Sequence, residues 1–449
     1  MLMEVLKRYA EAFYELEKNK TTISTEALAG LTTFLTMAYI LAVNPQILSV
    51  TGMEIGALFT ATALICIIGT GMMALFAKYP YAIAPGMGLN AFFAFVVAAE
   101  VGWQGGLLLL FIQGLAFMVM AAARFREAIF NAVPKNIKLA IGVGVGFFIT
   151  FIGLQNAGFI VHSPATIVGL GDMRSLEMLL FLIGCIAMVV LIRMGFNSGI
   201  FLGMILVYFL GLLAQILGLY QGPSLIPDGI ISVPPSLAPI SLITNWQDIS
   251  FAGVGIFTVV SLILILLFVE AVETVGTLIG VSERVGFLDE SGKMPRVGHA
   301  LFADASTTAL GAVLGTSTST TYIESATGIQ AGGRTGLTSL VTAGLFFVAM
   351  FFWPIFAVIP TFVTAPALVI VGLYMSSMVT KIDFDDFSEA FPAFLVIILM
   401  PLTFSVSDAI VFGILSYVAI KLLIGKVSEI PAIMYVLSAV FILKLVFPY

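Results

Sequence analysis

The chain has 449 residues, 60% hydrophobic and only 10% charged, with a mean hydropathy of +1.13 and a net charge of -6. A soluble globular domain is roughly 25% charged, so this composition cannot cover a water-facing surface with polar groups, and the polytopic membrane class follows. No basic run exists, so nothing suggests nucleic-acid binding. Lys and Arg positions, not their sum, carry the orientation.

Met1 to Lys20 mixes charges and lacks an apolar core, so no cleavable signal peptide is expected. Residues 1–24 read as a short amphipathic segment at the cytoplasmic face. A span needs about 20 apolar residues. Apolar runs lie near 27–45, 55–76, 105–123, 138–158, 176–196, 198–220, 251–280, 298–315, 337–358, 363–379, 391–403, 405–425 and 430–447. Two more, Tyr81 to Ala99 and Thr316 to Gly328, are short and begin with broken chain.

Basic residues cluster at Lys7, Arg8, Lys18 and Lys20, at Lys78, and at Arg124, Arg126, Lys135 and Lys138. Later come Arg193, then Arg284, Lys293 and Arg296, then Arg334, Lys381, Lys421 and Lys426. If both short stretches count as spans, all these clusters fall on one side. That side is cytoplasmic by the positive-inside rule, with the N-terminus inside and about 14 spans up to Lys426. The apolar tail 428–449 then either lies at the interface or crosses once more. The loop Gln221 to Ser250 has neither Lys nor Arg and divides the chain into halves of similar layout, as in inverted-repeat transporters.

The first broken span contains Pro85, Gly86 and Gly88, which cannot continue a helix well. A helix can start after them with Asn90 in its first turn. In the second, Thr316 to Thr321 is a run of hydroxyl residues that favours extended backbone. A helix can start near Thr321 with Glu324 in its first turns. Non-helical backbone survives at membrane depth only where protein or a wet cavity satisfies it, and two breaks at corresponding places point to a midplane site. The two extended pieces could pair across the halves, and the helix N-termini present free N–H groups. Re-entrant loops without a ligand role are the plainer reading.

Glu270 and Glu273 share a face of the run Leu262 to Val281. A charge at that depth costs at least about 2.5–3.5 kcal/mol. Two carboxylates that close cannot both ionise cheaply, so a shared proton is natural and the pair is a candidate for proton coupling. The plainer reading is helix–helix pairing. Phe92, Phe93 and Phe95 could stack on a flat ligand or simply pack. Gly142, Gly144 and Gly146 suit close helix packing. Cys66 and Cys185 sit in apolar runs without metal-ligand spacing, so no disulfide framework, metal or other cofactor is expected.

Several stretches together carry a resemblance. They are Thr25 to Pro45, Ala84 to Phe93, Gly276 to Gly280, Thr321 to Ser325 and Gly332 to Leu337. On them, and over nearly its whole length, the chain resembles the AzgA-like branch of the nucleobase–cation symporter-2 (xanthine/uracil permease) superfamily, the adenine, guanine and hypoxanthine permeases. The resemblance implies an all-α polytopic membrane protein with a seven-plus-seven inverted repeat and two broken spans. It implies a core domain over 25–130 and 251–360 and a gate domain over 131–220 and 361–427, with 221–250 as an extracytoplasmic loop.

The resemblance also implies a plasma-membrane transporter that is not an enzyme, taking up purines with a proton. The ligand would sit between the third and tenth spans, beside the eighth. Asn90, Glu270 and Glu324 fall on positions that bind or couple, with Glu273 nearby in a Val-Glu-Thr context where the family usually has Phe-Asp-Thr. Glu324 and Glu270 would clamp the purine edge, Leu89, Tyr322 and Ile323 would supply backbone donors, and Phe92 a ring face. Protonation of Glu270 or Glu273 would couple influx to the proton gradient. A homodimer is common in such a fold, though no residue demands it. An anion exchanger or channel of the same fold and an intramembrane acid–base enzyme are the alternatives.

Overall fold

A chain crossing a bilayer must satisfy its backbone internally, which is why the long apolar runs become helices. The computed structural model describes residues 11–122, 134–164, 166–285, 287 and 294–446. The first half contains α1 (Ile23–Met37), α2 (Ile40–Ser49), α3 (Ile55–Met72), β1 (Ile83–Pro85), α4 (Met87–Phe92), α5 (Ala98–Ala122), α6 (Lys135–Asn156), the hairpin β2 (Ile160–Ser163) and β3 (Ile167–Leu170), α7 (Leu176–Arg193) and α8 (Gly199–Ile216). The second contains α9 (Ile256–Val285), α10 (Val297–Leu314), β4 (Ser319–Thr321), α11 (Ser325–Gln330), α12 (Gly336–Ala349), α13 (Trp353–Ala357), α14 (Thr361–Ser376), α15 (Phe387–Thr403), α16 (Val406–Leu423) and α17 (Ala432–Val446). Among the described residues, 10 helices are long and apolar enough to cross a membrane. The chain is a multi-pass membrane protein.

Local chemistry sets many helix starts. Thr22 accepts from Thr25 N (3.2 Å), Glu54 from Gly56 N and Ala57 N (2.9 and 2.6 Å), Ser175 from Met178 N (3.2 Å) and Ser405 from Asp408 N (3.1 Å). Each cap satisfies donors that a first turn leaves free. Gly315 ends α10 at φ +95, and a Cβ there would lie 2.5 Å from Ile240 O. The glycine series of α6 is a packing face. A Cβ on Gly146 would come within 2.7 Å of Gly372 O on α14, and one on Gly144 within 3.1 Å of Val396 O on α15.

The packing is pseudo-two-fold. α5 against α10 is matched by α12 against α3, and α12 against α1 by α9 against α5. Likewise α7 with α8 matches α15 with α16, and α6 with α15 matches α14 with α7. The pairs α6 with α14 and β1 with β4 map onto themselves. This relates α1–α8 to α9–α16 as inverted halves. One packing group holds α1–α5 and α9–α12, the other α6–α8 and α14–α16.

The apolar tail forms α17, which packs on α16 and α9. Lys444 near its end lies 3.4 Å from Asp408 at the start of α16, while Glu429 just before it lies 2.6 Å from Lys421 at the end of α16. The tail therefore runs antiparallel along the whole of α16 and does not lie across its end. The one-sided sorting of basic residues is incomplete. Arg174 stands before α7, at the opposite end from Arg193, and Lys444 stands at the opposite end of α16 from Lys421. Lys7, Arg8, Arg124, Arg126, Lys293 and the boundary at 130/131 lie outside the described residues. Of the N-terminal segment, residues 11–14 are helical, and Tyr14 and Leu16 bury against Leu337.

Candidate functional site

The two broken spans meet. β1 and β4 pair antiparallel, with Ile83 opposite Thr321, Ala84 opposite Thr320 and Pro85 opposite Ser319. Gly86 N donates to Thr318 O and Tyr322 N to Ala82 O, both at 2.9 Å, extending the ladder at each end. A two-stranded ladder leaves two unpaired edges, and at this depth each needs a partner. Threonines from symmetry-related helices supply them. Thr70 of α3 accepts from Ile83 N (3.0 Å) and lies 3.1 Å from Ile83 O. Thr308 of α10 accepts from Ser319 N (3.3 Å) and lies 3.1 Å from Ser319 O.

Helix α4 starts right after the crossing, with Asn90 in its first turn. Asn90 is fully buried, and its Oδ1 accepts from the Ser317 hydroxyl of the other half. Helix α11 begins at Ser325, later than the sequence suggests, because Ser325 N and Ala326 N still close turns onto Tyr322 O and Ile323 O. Glu324 thus stands at the N-cap position, partly accessible. The Tyr39 hydroxyl, between α1 and α2, donates to Glu324 Oε1 at 2.7 Å.

The α9 carboxylates have different surroundings. Glu270 is fully buried. The Gln113 amide donates to its Oε2, and the Thr308 hydroxyl lies 3.1 Å from its Oε1. Glu273 is partly accessible and faces the start of α4. A Cβ on Gly88 would lie 2.5 Å from Glu273 Oε1, and one on Gly86 3.1 Å from Oε2. Glu273 Oε1 is buried and accepts no hydrogen bond from the protein. The same holds for the hydroxyls of Thr318, Ser319 and Thr321 on the adjoining stretch.

Several sequence expectations change. Glu270 does not present a free carboxylate edge to a ligand, since burial and the Gln113 and Thr308 bonds occupy it. The Tyr322 N–H is committed to Ala82 O and its hydroxyl to Pro85 O, so Tyr322 clamps the crossing and offers no donor. Phe92 packs fully buried in the apolar core and shows no ring face, and Leu89 is likewise buried there. Only the backbone of Leu89, in the first turn of α4, can face a ligand. Ile323 is 52% exposed. Phe95 joins an aromatic cluster with Phe148 and Phe404 at the junction of the two packing groups.

Sequence reasoning missed Asp304 and Gln113, both fully buried in apolar spans. The Thr274 hydroxyl donates to Asp304 Oδ2 at 2.7 Å, one turn of α10 from Thr308. The rule that singled out Glu270, an ionisable or polar side chain inside an apolar run, would have found them. Glu26 was also passed over. It is fully buried, and its carboxylate accepts from Arg334 N (2.8 Å), Thr335 N (3.3 Å), Thr338 N (3.1 Å) and the Thr338 hydroxyl (2.6 Å), capping α12.

Residues 24–412 match the Permease family. The chain is 44% identical over 450 residues to the guanine/hypoxanthine permease PbuG of Bacillus subtilis, covering 97% of this chain and 99% of that one. It is 37% identical over 439 residues to the adenine permease AdeP of Escherichia coli, covering 97% and 96%. It superposes on the transmembrane domain of a cyanobacterium bicarbonate transporter, BicA, with a TM-score of 0.65 at 15% identity, covering 86% of this chain and 97% of that one. That last likeness is one of fold.

Proposed function

The chain belongs to the Permease family, and on that premise we propose that it is a secondary active transporter of purine nucleobases such as adenine, guanine or hypoxanthine. The observation that carries the reading is the pair of partly accessible carboxylates, Glu273 and Glu324, flanking the strand crossing at the start of α4. A purine is flat, nearly neutral and edged with N–H donors and ring-nitrogen acceptors. Carboxylates accept from such N–H groups, and the first-turn N–H groups of α4 can donate to ring nitrogens. The side chains named around the crossing are carboxylates, hydroxyls and amides, none cationic, which suits a neutral heterocycle better than an anion.

Glu270 then acts from behind, holding Gln113 and Thr308 and through Thr308 the edge of β4. Uptake is coupled to a proton, with Glu273 and the Glu270 beside it as the acids. The group α1–α5 with α9–α12 is the core and the group α6–α8 with α14–α16 the gate, and their relative motion opens the site alternately. The protein resides in the plasma membrane with its N-terminus in the cytoplasm.

The test is uptake of radiolabelled adenine, guanine, hypoxanthine, xanthine and uracil by proteoliposomes under an imposed proton gradient. Purines are expected to accumulate chemically unmodified, faster with the gradient inward. Exchange of bicarbonate or sulfate with no purine uptake would overturn the reading, and recovery of a modified purine would indicate an enzyme.

A further inference from the structure

A cavity of about 450 Å³ lies between the two packing groups, lined by α8 and α14 on one side and by α1 and the α12–α13 region on the other. Its lining is apolar apart from two tyrosines whose hydroxyls are turned elsewhere. The Tyr208 hydroxyl donates to Leu225 O at 2.5 Å and that of Tyr39 to Glu324. Water needs two or more polar partners to occupy such a space, and none is offered here.

Burial grades from one side of the cavity to the other. Tyr39 and Met204 at its floor are buried, at 1% and 4% exposure, whereas Phe209 and Val348 at its rim are exposed, at 60% and 54%. The rim residues sit within α8 and α12, both membrane-crossing segments. An apolar rim on two membrane-crossing helices suits a mouth that faces the hydrocarbon layer. The volume is that of a small-molecule site. An apolar void lined by unmatched side chains forfeits dispersion contacts that a filling hydrocarbon restores.

We propose that this cavity is a binding site for the acyl chain of a bilayer phospholipid, wedged between the two packing groups. The chain rests on the Tyr39 ring. Because the Tyr39 hydroxyl holds Glu324, an occupied cavity fixes Tyr39 against the candidate purine site, and an empty one lets it relax. Lipid occupancy thereby tunes the site without touching it. The existence of the lipid site is independent of the transport reading, and only the tuning rests on it.

The experiment uses the full chain in nanodiscs whose phospholipid carries a diazirine near the end of one acyl chain. After irradiation, peptides are mapped by mass spectrometry. Label is expected on Met204 and Ala349, deep in the cavity, as well as on Ile186 of the outward face of α7. Ile205→Trp and Ala349→Trp, each filling the cavity from a different side, should lower labelling at Met204 several-fold and leave Ile186 unchanged. Either variant suffices if it is monodisperse. Label at Ile186 with none at Met204 and Ala349, or cavity labelling indifferent to both fillings, would overturn the site. For the tuning, adenine and hypoxanthine binding to delipidated protein should strengthen several-fold when phospholipid is restored, and should not respond in the filled variant. Equal binding with and without lipid would remove the tuning and leave the site standing.

Discussion

A methyl group on Gly88 would lie 2.5 Å from Glu273 Oε1, closer than any real side-chain carbon approaches an oxygen. Backbone and carboxylate are therefore matched in size, and a glycine at the start of α4 is what lets Glu273 reach it. Gly88→Ala is expected to abolish purine uptake while the protein still inserts. The methyl also meets Val145 Cγ1, so relief needs both neighbours shortened. Adding Glu273→Asp and Val145→Ala should recover part of the uptake, a non-additive effect that a triple-mutant comparison reads. Gly86→Ala, whose methyl would sit 3.1 Å from Glu273 Oε2, should be milder.

The unequal burial of the two α9 carboxylates separates their roles. Glu273→Gln swaps an acceptor oxygen for an amide donor that cannot meet a purine N–H, a loss of about 1–3 kcal/mol, so purine affinity should fall roughly five- to 150-fold with thermal stability little changed. Glu270→Gln should instead lower thermal stability, because the amide has one acceptor oxygen and cannot accept from both Gln113 and Thr308. Equilibrium binding and thermal denaturation on both variants decide it. A Glu270→Gln protein of normal stability and lost affinity would reverse the assignment.

Tyr39→Phe deletes one hydroxyl and leaves Glu324 Oε1 without its 2.7 Å donor. The expected loss is about 1–3 kcal/mol in purine binding, that is, roughly five- to 150-fold. Tyr208→Phe, on the far wall of the apolar cavity, should leave affinity near normal. Isothermal titration or scintillation proximity binding distinguishes them.

What could be read from the sequence was whatever leaves a composition trace. The breaks at Pro85–Gly88 and Thr316–Thr321 were visible as helix breakers in apolar runs, and their pairing across the halves followed from backbone accounting. The sequence does not separate Glu270 from Glu273, because residues three apart on one helix share a face. Which of them meets the site depends on Gln113, Thr308 and Gly88, distant in sequence and set only by packing. Tyr322 failed for a related reason. A helix start there would leave its N–H free, but the helix starts three residues later and the ladder runs one pair further.

Glu26 is the most fully bonded carboxylate described, closing four donors at the start of α12. Glu26→Ala strands three backbone N–H groups in a buried place and should destabilise by about 2–4 kcal/mol. Glu26→Gln keeps an acceptor oxygen and should cost about half as much. Thermal denaturation of the detergent-solubilised protein measures both. Equal melting of the two variants would mean that the charge, not the capping geometry, is what matters.

Lys421 at the end of α16 is buried, with Glu389 Oε1 at 2.9 Å and Glu429 Oε2 at 2.6 Å, and Lys426 lies 3.4 Å from Glu429 and 3.8 Å from Asp386. The hydrogen bond from Lys421 holds the Glu429 carboxyl below its usual range, and the Ser388 hydroxyl and N–H do the same for Asp386. A carboxyl whose folded pKa is depressed adds stability that is complete above its unfolded pKa, about 4.3 for Glu and 3.9 for Asp. That stability is lost as pH falls through the lower folded value. The melting temperature should therefore drop as pH goes below about 4. Lys421→Met removes the cause of the Glu429 depression, so it should lower the melting temperature at neutral pH and flatten its acid dependence. Glu429→Gln should flatten the curve in the same way. A Lys421→Met protein with the wild-type acid slope would show that these ion pairs do not hold α15, α16 and the turn before α17 together.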